Sequence, residues 1–258
     1  MTSRPLAEVL DVRRDSLVSV IGGGGKMTLL TALGVAWARA GGRPLLLSTT
    51  QISEHEEKGV PGVRTIALPQ ARSAWPQVSF LGGELLVVGR RGERSGTLEA
   101  IQSDEIAALA EDARADLVLV KADLAHGRSL KSHEPGEPSV PLDTSLVIAL
   151  AGLDAWGAEL GPETVDGSDR FASESGMTPG ERLEDDAFYR ALADPAGYRA
   201  AVPPGARYVP FLNKADRPMR IAVAQRLAAG LLERGIGSVV WGDVRRLEWT
   251  LVRRGGRE

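Results

Sequence analysis

The stretch Leu17-Val18-Ser19-Val20-Ile21-Gly22-Gly23-Gly24-Gly25-Lys26-Met27-Thr28 constrains this chain more than any other. An apolar, β-branched run enters four glycines and a lysine, and the chain from there on reads as the first turn of a helix. Strand, phosphate-sized turn and helix, in that order, are the parts of a P-loop. Glycines adopt backbone conformations closed to other residues and let a polyphosphate lie against main-chain N–H groups. The helix N-terminus adds unpaired donors and its dipole, and Lys26 adds a full positive charge. Gly22, Gly23, Gly24, Gly25, Lys26, Met27 and Thr28 are therefore the expected phosphate-binding residues, with Lys26 also catalytic. The match to the Walker A pattern is incomplete. Val20 stands where its first glycine belongs, and Met27 stands where a Mg²⁺-binding hydroxyl belongs.

Beyond the turn, Leu29, Leu33, Ala36 and Ala40 recur as the buried stripe of a helix, which Gly41-Gly42 stops. Arg43–Ser48 reads as a second strand, ending in Thr49-Thr50-Gln51. Together with Thr28, the hydroxyls of Thr49 and Thr50 are candidates for reaching a phosphate or its metal. Residues 53–61 read as a charged loop. Val63–Leu68 and Leu85–Gly89 read as short strands in a hairpin-like excursion from the main sheet. Glu99–Arg114 carries a helical stripe. Asp116–Asp123 then reads as a buried parallel strand with an acid at its tip. In a P-loop protein, Asp123 is the Walker B candidate, catalytic and holding Mg²⁺ directly or through water.

The segment after Asp123 is basic first and proline-punctuated after, and long irregular loops in compact domains tend to be functional. Arg128 and Lys131 are its candidates for a second anion or partner site. Thr144–Ala151 resumes as a strand. Residues 158–205 are acidic and loop-rich, helical mainly at Leu183–Ala193, and read as an insertion or lid lobe. Tyr208–Asp216 is one more strand, with N-K-x-D at its tip, and Pro218 opens the next helix. Val239–Trp241 and Leu247–Val252 close as strands, the last an antiparallel edge, and Arg253–Glu258 as a frayed tail. The class expected is α/β: one P-loop NTPase-like domain over 1–258, a three-layer sandwich with a mostly parallel sheet and helices on both faces.

Composition removes alternatives. The 258 residues contain no cysteine and three histidines, which excludes a disulfide framework, a thiolate metal site and a catalytic cysteine. A formal net charge of −3 gives no reason to expect nucleic acid or an anionic membrane as partner. The expected location is the cytoplasm. N-K-x-D after an apolar strand reads guanine: the Asp216 carboxylate would accept from the base N1–H and 2-amino group, which adenine cannot match. Asn213 would meet the base edge, and Lys214 would cover the ring and steady the glycine turn.

These pieces together resemble the YqeC family. The resemblance runs from about Ser16 to Val240. It is carried by Gly22–Lys26, Thr49–Ile52, Lys121–Asp123 through Gly127–Lys131, Glu137-Pro138 with Val140-Pro141, Gly152–Ala155 and Leu212–Asp216. The resemblance implies a nucleotide-binding accessory protein in the maturation of a selenium-dependent molybdenum hydroxylase. Its cofactors would be GTP or ATP with Mg²⁺, and its partners that enzyme or its cofactor-maturation proteins. The chain departs from the family pattern at Met27, Gln51, Leu124 and Asp166-Gly167-Ser168, so slow or absent hydrolysis is expected. Two other functions fit the motifs. One is a kinase or nucleotidyl-type transferase that uses Arg128, Lys131 and His133 to hold an acceptor. The other is a non-hydrolysing nucleotide-binding scaffold.

Overall fold

A computed structural model describes residues 4–53, 60–70, 76–93 and 96–255. Most of the charged loop over 53–61 and the end of the tail over 253–258 lie outside the described residues. The chain opens with a short helix, α1 (Leu6–Val9), and enters β1 (Ser16–Gly22) and α2 (Lys26–Arg39). Next come β2 (Pro44–Ser48), β3 (Ile52–Ser53), β4 (Val63–Leu68), β5 (Leu85–Arg91) and β6 (Thr97–Glu99). Helix α3 (Ser103–Ala113) leads to β7 (Leu117–Lys121), β8 (Leu130–Lys131), β9 (Leu146–Gly152) and β10 (Val165–Asp166). Two eight-residue helices follow, α4 (Ser168–Ser175) and α5 (Asp185–Leu192). The chain ends with β11 (Arg207–Asn213), α6 (Pro218–Glu233), β12 (Ser238–Asp243) and β13 (Glu248–Arg253).

Among the described residues one large sheet runs in the order β13-β12-β11-β9-β1-β7-β2-β5-β6-β3, with β4 also paired to β5. The pairings from β12 through β5 are parallel. β13 is the antiparallel edge that its pattern predicts. The hairpin-like excursion is corrected: β4 and β5 pair in parallel, and β5 joins the main sheet beside β2. A parallel pair needs a long crossover and not a tight turn. The helical stripe at Glu99 is also shorter than expected, because Thr97–Glu99 pairs as β6 and α3 starts at Ser103.

Side chains alternate across the central strands and build two apolar layers. On one face Val18, Val20, Leu119 and Ile148 meet Leu29, Leu30 and Leu33 of α2 and Leu6 of α1. On the other, Val120, Val147 and Ala149 meet Ile106 of α3, Phe188 of α5 and Leu227 of α6. The result is a mostly parallel α/β sandwich with helices on both faces. Residues 158–205 add Phe171, Leu183, Leu192 and Tyr198 to this second layer, and β10 pairs with β8 in a separate two-stranded sheet. No described helix is long and apolar enough to cross a membrane.

Candidate functional site

The carboxyl ends of β7, β1, β9 and β11 lie side by side, because those four strands are consecutive neighbours and parallel. Ligands of open α/β sheets bind at such an edge. The glycine turn leaves β1 there. Gly22, Gly24 and Gly25 have φ of +88°, +89° and +118°, a region that side-chain-bearing residues rarely enter. The turn is also tightly covered. A Cβ at Gly23 would lie 2.6 Å from the Arg128 carbonyl oxygen, and one at Gly24 would lie 2.6 Å from the Gly152 nitrogen.

Three amides of the turn have protein partners. Gly22 N–H donates to Asp123 Oδ2 at 2.7 Å, Gly23 N–H to the Leu150 carbonyl at 2.9 Å, and Gly24 N–H to the Arg128 carbonyl at 2.8 Å. In this conformation the glycines serve close approach of backbone to backbone, and the segment Arg128–Leu130 sits over the turn.

Lys26 and Asp123 come together in one ion pair. Lys26 Nζ is 2.7 Å from Asp123 Oδ1, and it also donates to the Gly22 carbonyl. The two side chains are 5% and 0% exposed. Asp123 Oδ2 is shared between Gly22 N–H and His133 Nε2, the latter at 2.6 Å. Burial pushes the Asp123 carboxyl up, but the Lys26 charge and the His133 hydrogen bond outweigh it and hold the group below the ordinary carboxylate range. Sequence reasoning names His133 only as an acceptor-binding residue. A histidine ten residues past a strand-tip acid carries no spacing rule that would reveal this contact.

The N-K-x-D turn is built against the same glycines. Asn213, itself buried, donates from Nδ2 to the Gly24 carbonyl at 2.8 Å and accepts from Val244 N–H at 3.0 Å. Lys214, at φ +65°, reaches the segment that lies over the glycine turn. Its ammonium donates to Ser129 Oγ at 2.8 Å and to Asp154 Oδ2 at 2.7 Å, while Ser129 Oγ donates to Asp154 Oδ1 at 2.6 Å. Asn213 thus bonds the glycine turn directly, and Lys214 bonds Ser129 in the segment over it. Asp216 pairs with Arg220 at 2.8 Å, one turn into α6.

The remaining candidates are dispersed. Thr28 is exposed on α2. Thr49 Oγ1 donates to the Ser139 carbonyl at 2.9 Å, and Thr50 Oγ1 lies 3.2 Å from Ser48 Oγ. Mg²⁺ takes several hard oxygen ligands. Here both Asp123 oxygens face a cation or N–H donors, and no three His, Cys, Asp or Glu among the described residues converge on one point. A divalent cation at Asp123 would have to displace Lys26 or one of these N–H donors, with its other ligands drawn from water or phosphate.

The second-anion pair is also engaged. Lys131 is buried with its ammonium 2.8 Å from Glu137, 3.0 Å from Asp166 and 2.6 Å from the Leu124 carbonyl. Arg128 donates to the Pro162 carbonyl and lies 3.4 Å from Glu163.

The sequence profile of one family, described as YqeC protein, matches residues 18–169, more than half of the chain. The chain belongs to the YqeC family. The match spans the glycine turn, Asp123, His133 and the covering segment, and stops before the N-K-x-D turn. A relative described as uncharacterized protein YqeC, from Escherichia coli (strain K12), is 28% identical over 245 residues. That alignment covers 93% of each chain.

Proposed function

We propose that this YqeC protein binds a nucleoside triphosphate, GTP in preference to ATP, at the glycine turn, and hydrolyses it slowly or not at all. One observation carries the reading: a lysine and an aspartate, both withdrawn from water, meet at the tips of adjacent strands beside the N-terminus of α2. Lysine and aspartate are seldom fully buried unless paired, and this pair stands where a P-loop lysine and a Walker B acid would. The fastening of Asn213 to Gly24 adds support, since it joins the base-reading motif to the phosphate-binding one.

On this reading Lys26 exchanges Asp123 for phosphate oxygens. The amides of Gly23 and Gly24 exchange the carbonyls of Leu150 and Arg128 for the same ligand. Asp216 leaves Arg220 to receive the base. Each exchange replaces an existing partner, which favours a protein that changes conformation on binding over one that turns nucleotide over rapidly. The scaffold function, in which a partner reads that conformation, is favoured by the same occupied amides. In keeping with the family resemblance, the partner is a selenium-dependent molybdenum hydroxylase or its cofactor-maturation proteins, and the setting is the cytoplasm.

Calorimetric titration of GTP and of ATP into the full chain tests the proposal, with Lys26→Met/Asp123→Asn as the comparison. That double variant removes the phosphate-seeking cation without leaving Asp123 charged and unpaired. GTP should bind more tightly than ATP, and the double variant should lose about 2 kcal/mol, roughly 30-fold. Saturable binding of neither nucleotide, or equal affinity in the double variant, would end it.

A further inference from the structure

Beside Asp123, whose carboxylate it meets, His133 forms part of the wall of a cavity of about 480 Å³. That is within the range of about 300–1,000 Å³ typical of small-molecule sites. Its body is apolar, with Phe171, Pro138 and the Tyr198 ring, the last meeting the His133 ring edge-on at 5.1 Å between centroids. Its charged lining includes Arg190 on α5, Glu174 on α4 and Asp194 just beyond α5.

The hydrogen bond to Asp123 fixes the histidine tautomer. A carboxylate only accepts, so His133 Nε2 carries a proton, and in the neutral ring Nδ1 is the acceptor. Nδ1 has no hydrogen-bond partner among the described residues, although the side chain is only 10% exposed. Arg190 is exposed and has no ion pair among the described residues, whereas Lys131 on the opposite wall is fully engaged by Glu137 and Asp166. The cavity therefore offers apolar walls, an imidazole nitrogen without a partner among the described residues, and a cation without an ion pair among them, with the carboxylates of Glu174 and Asp194 nearby.

The geometry points to a second ligand site, for a small hydroxylated ring compound carrying one negative charge. Its hydroxyl donates to His133 Nδ1, its ring lies against Phe171 and Tyr198, and its anionic group meets Arg190. His133 is held for this by Asp123, the carboxylate that also holds Lys26, so the two sites share one buried group. The site does not depend on nucleotide, and it can be tested without any.

The probe is 4-hydroxybenzoate, followed by ring-nitrogen NMR of the histidine-labelled full chain. Free protein should show His133 with Nε2 protonated and Nδ1 bare, and the probe should move the Nδ1 signal. The methyl ether, 4-methoxybenzoate, keeps the charge and the ring but has no hydroxyl to donate. It should bind about tenfold more weakly and leave Nδ1 where it was. His133→Gln and Arg190→Gln should each weaken the hydroxy probe about tenfold. Ala196→Trp, a change at an exposed position on the rim, should block it without disturbing the core. The inference is overturned by His133 with Nδ1 protonated, by equal binding of the two benzoates, by unchanged binding in the Ala196→Trp protein, or by no binding of 4-hydroxybenzoate at millimolar concentration.

Discussion

Two strand-to-helix turns stand close together on one sheet edge, and each presents a lysine paired to an aspartate from another strand tip. In the β1–α2 turn, Lys26 and Asp123 are 5% and 0% exposed. In the β11–α6 turn, Lys214 and Asp154 are 30% and 35% exposed at the same 2.7 Å separation. Equal distance does not mean equal consequence. A buried pair broken on one side leaves an uncompensated charge out of water, whereas a surface pair contributes about 0–1 kcal/mol. The first turn is bound into the fold, and the second is free to exchange its partners at little cost. A ligand reaching both would find the first turn closed and the second open.

The largest effect expected comes from that burial. Lys26→Met leaves Asp123 ionised with only Gly22 N–H and His133, and should lower unfolding free energy by about 3–5 kcal/mol in urea. Lys26→Met/Asp123→Asn should recover most of the loss. Equal destabilisation by both would mean that side-chain packing, and not charge, dominates the site. Acid sharpens the same point. Because Asp123 is held below its ordinary value of 3.8, its contribution is complete above that pH and is lost as pH falls through the depressed value. The wild type should therefore lose stability over that acid range faster than Asp123→Asn.

The next effect tests whether the cover of the first turn is real. Gly23 has no left-handed φ, so a methyl there meets only its neighbours, the Arg128 carbonyl at 2.6 Å and the Ser129 carbonyl carbon at 2.8 Å. Gly23→Ala should cost about 1–3 kcal/mol through overpacking. Gly127→Ala makes no contact within 4 Å, but its backbone sits at φ +79°, and it should cost about 1 kcal/mol from backbone strain alone. If Gly23→Ala is silent in thermal unfolding, the segment Arg128–Leu130 does not close the turn in solution.

The sequence makes much of this frame legible and much of the site illegible, for separable reasons. Periodicity places the helices and the strand tips, since side-chain spacing is a local property. It does not say which strands become neighbours, and β4 and β5 are therefore misread as a hairpin. Four glycines announce close approach but not to what. The carbonyls that fill the space, Arg128 and Leu150, lie more than a hundred residues away. Lys26 and Asp123 are found because strand-tip chemistry keeps a known order. His133 joins Asp123 from an irregular loop, and Tyr198 comes from the 158–205 stretch, where no period marks a ring destined for a cavity wall. The cation pair Arg128 and Lys131 shows the converse: charge is readable in sequence, but the glutamates and aspartate that neutralise it are not.

The smallest effect on stability should leave the open half easiest to interpret. Asp216 pairs with Arg220 at i,i+4 with the carboxylate 37% and the guanidinium 14% exposed, an arrangement worth about 1 kcal/mol or less. Asp216→Asn should therefore unfold almost as the wild type does, leaving any change in binding to be read as recognition. If the carboxylate accepts two hydrogens from guanine, the amide replaces one acceptor with a donor that faces guanine's own donor. An unpaired group at a reading site costs far more than the ion pair it replaces. Xanthine carries an oxygen where guanine carries its 2-amino group, so the same amide should suit it. Competition between GTP and XTP should then reverse order in the variant while ATP remains weakest in both proteins. A wild type that prefers ATP, or a variant with unchanged order, would detach the N-K-x-D turn from base recognition. Asn213 would keep only its observed task of holding the glycine turn.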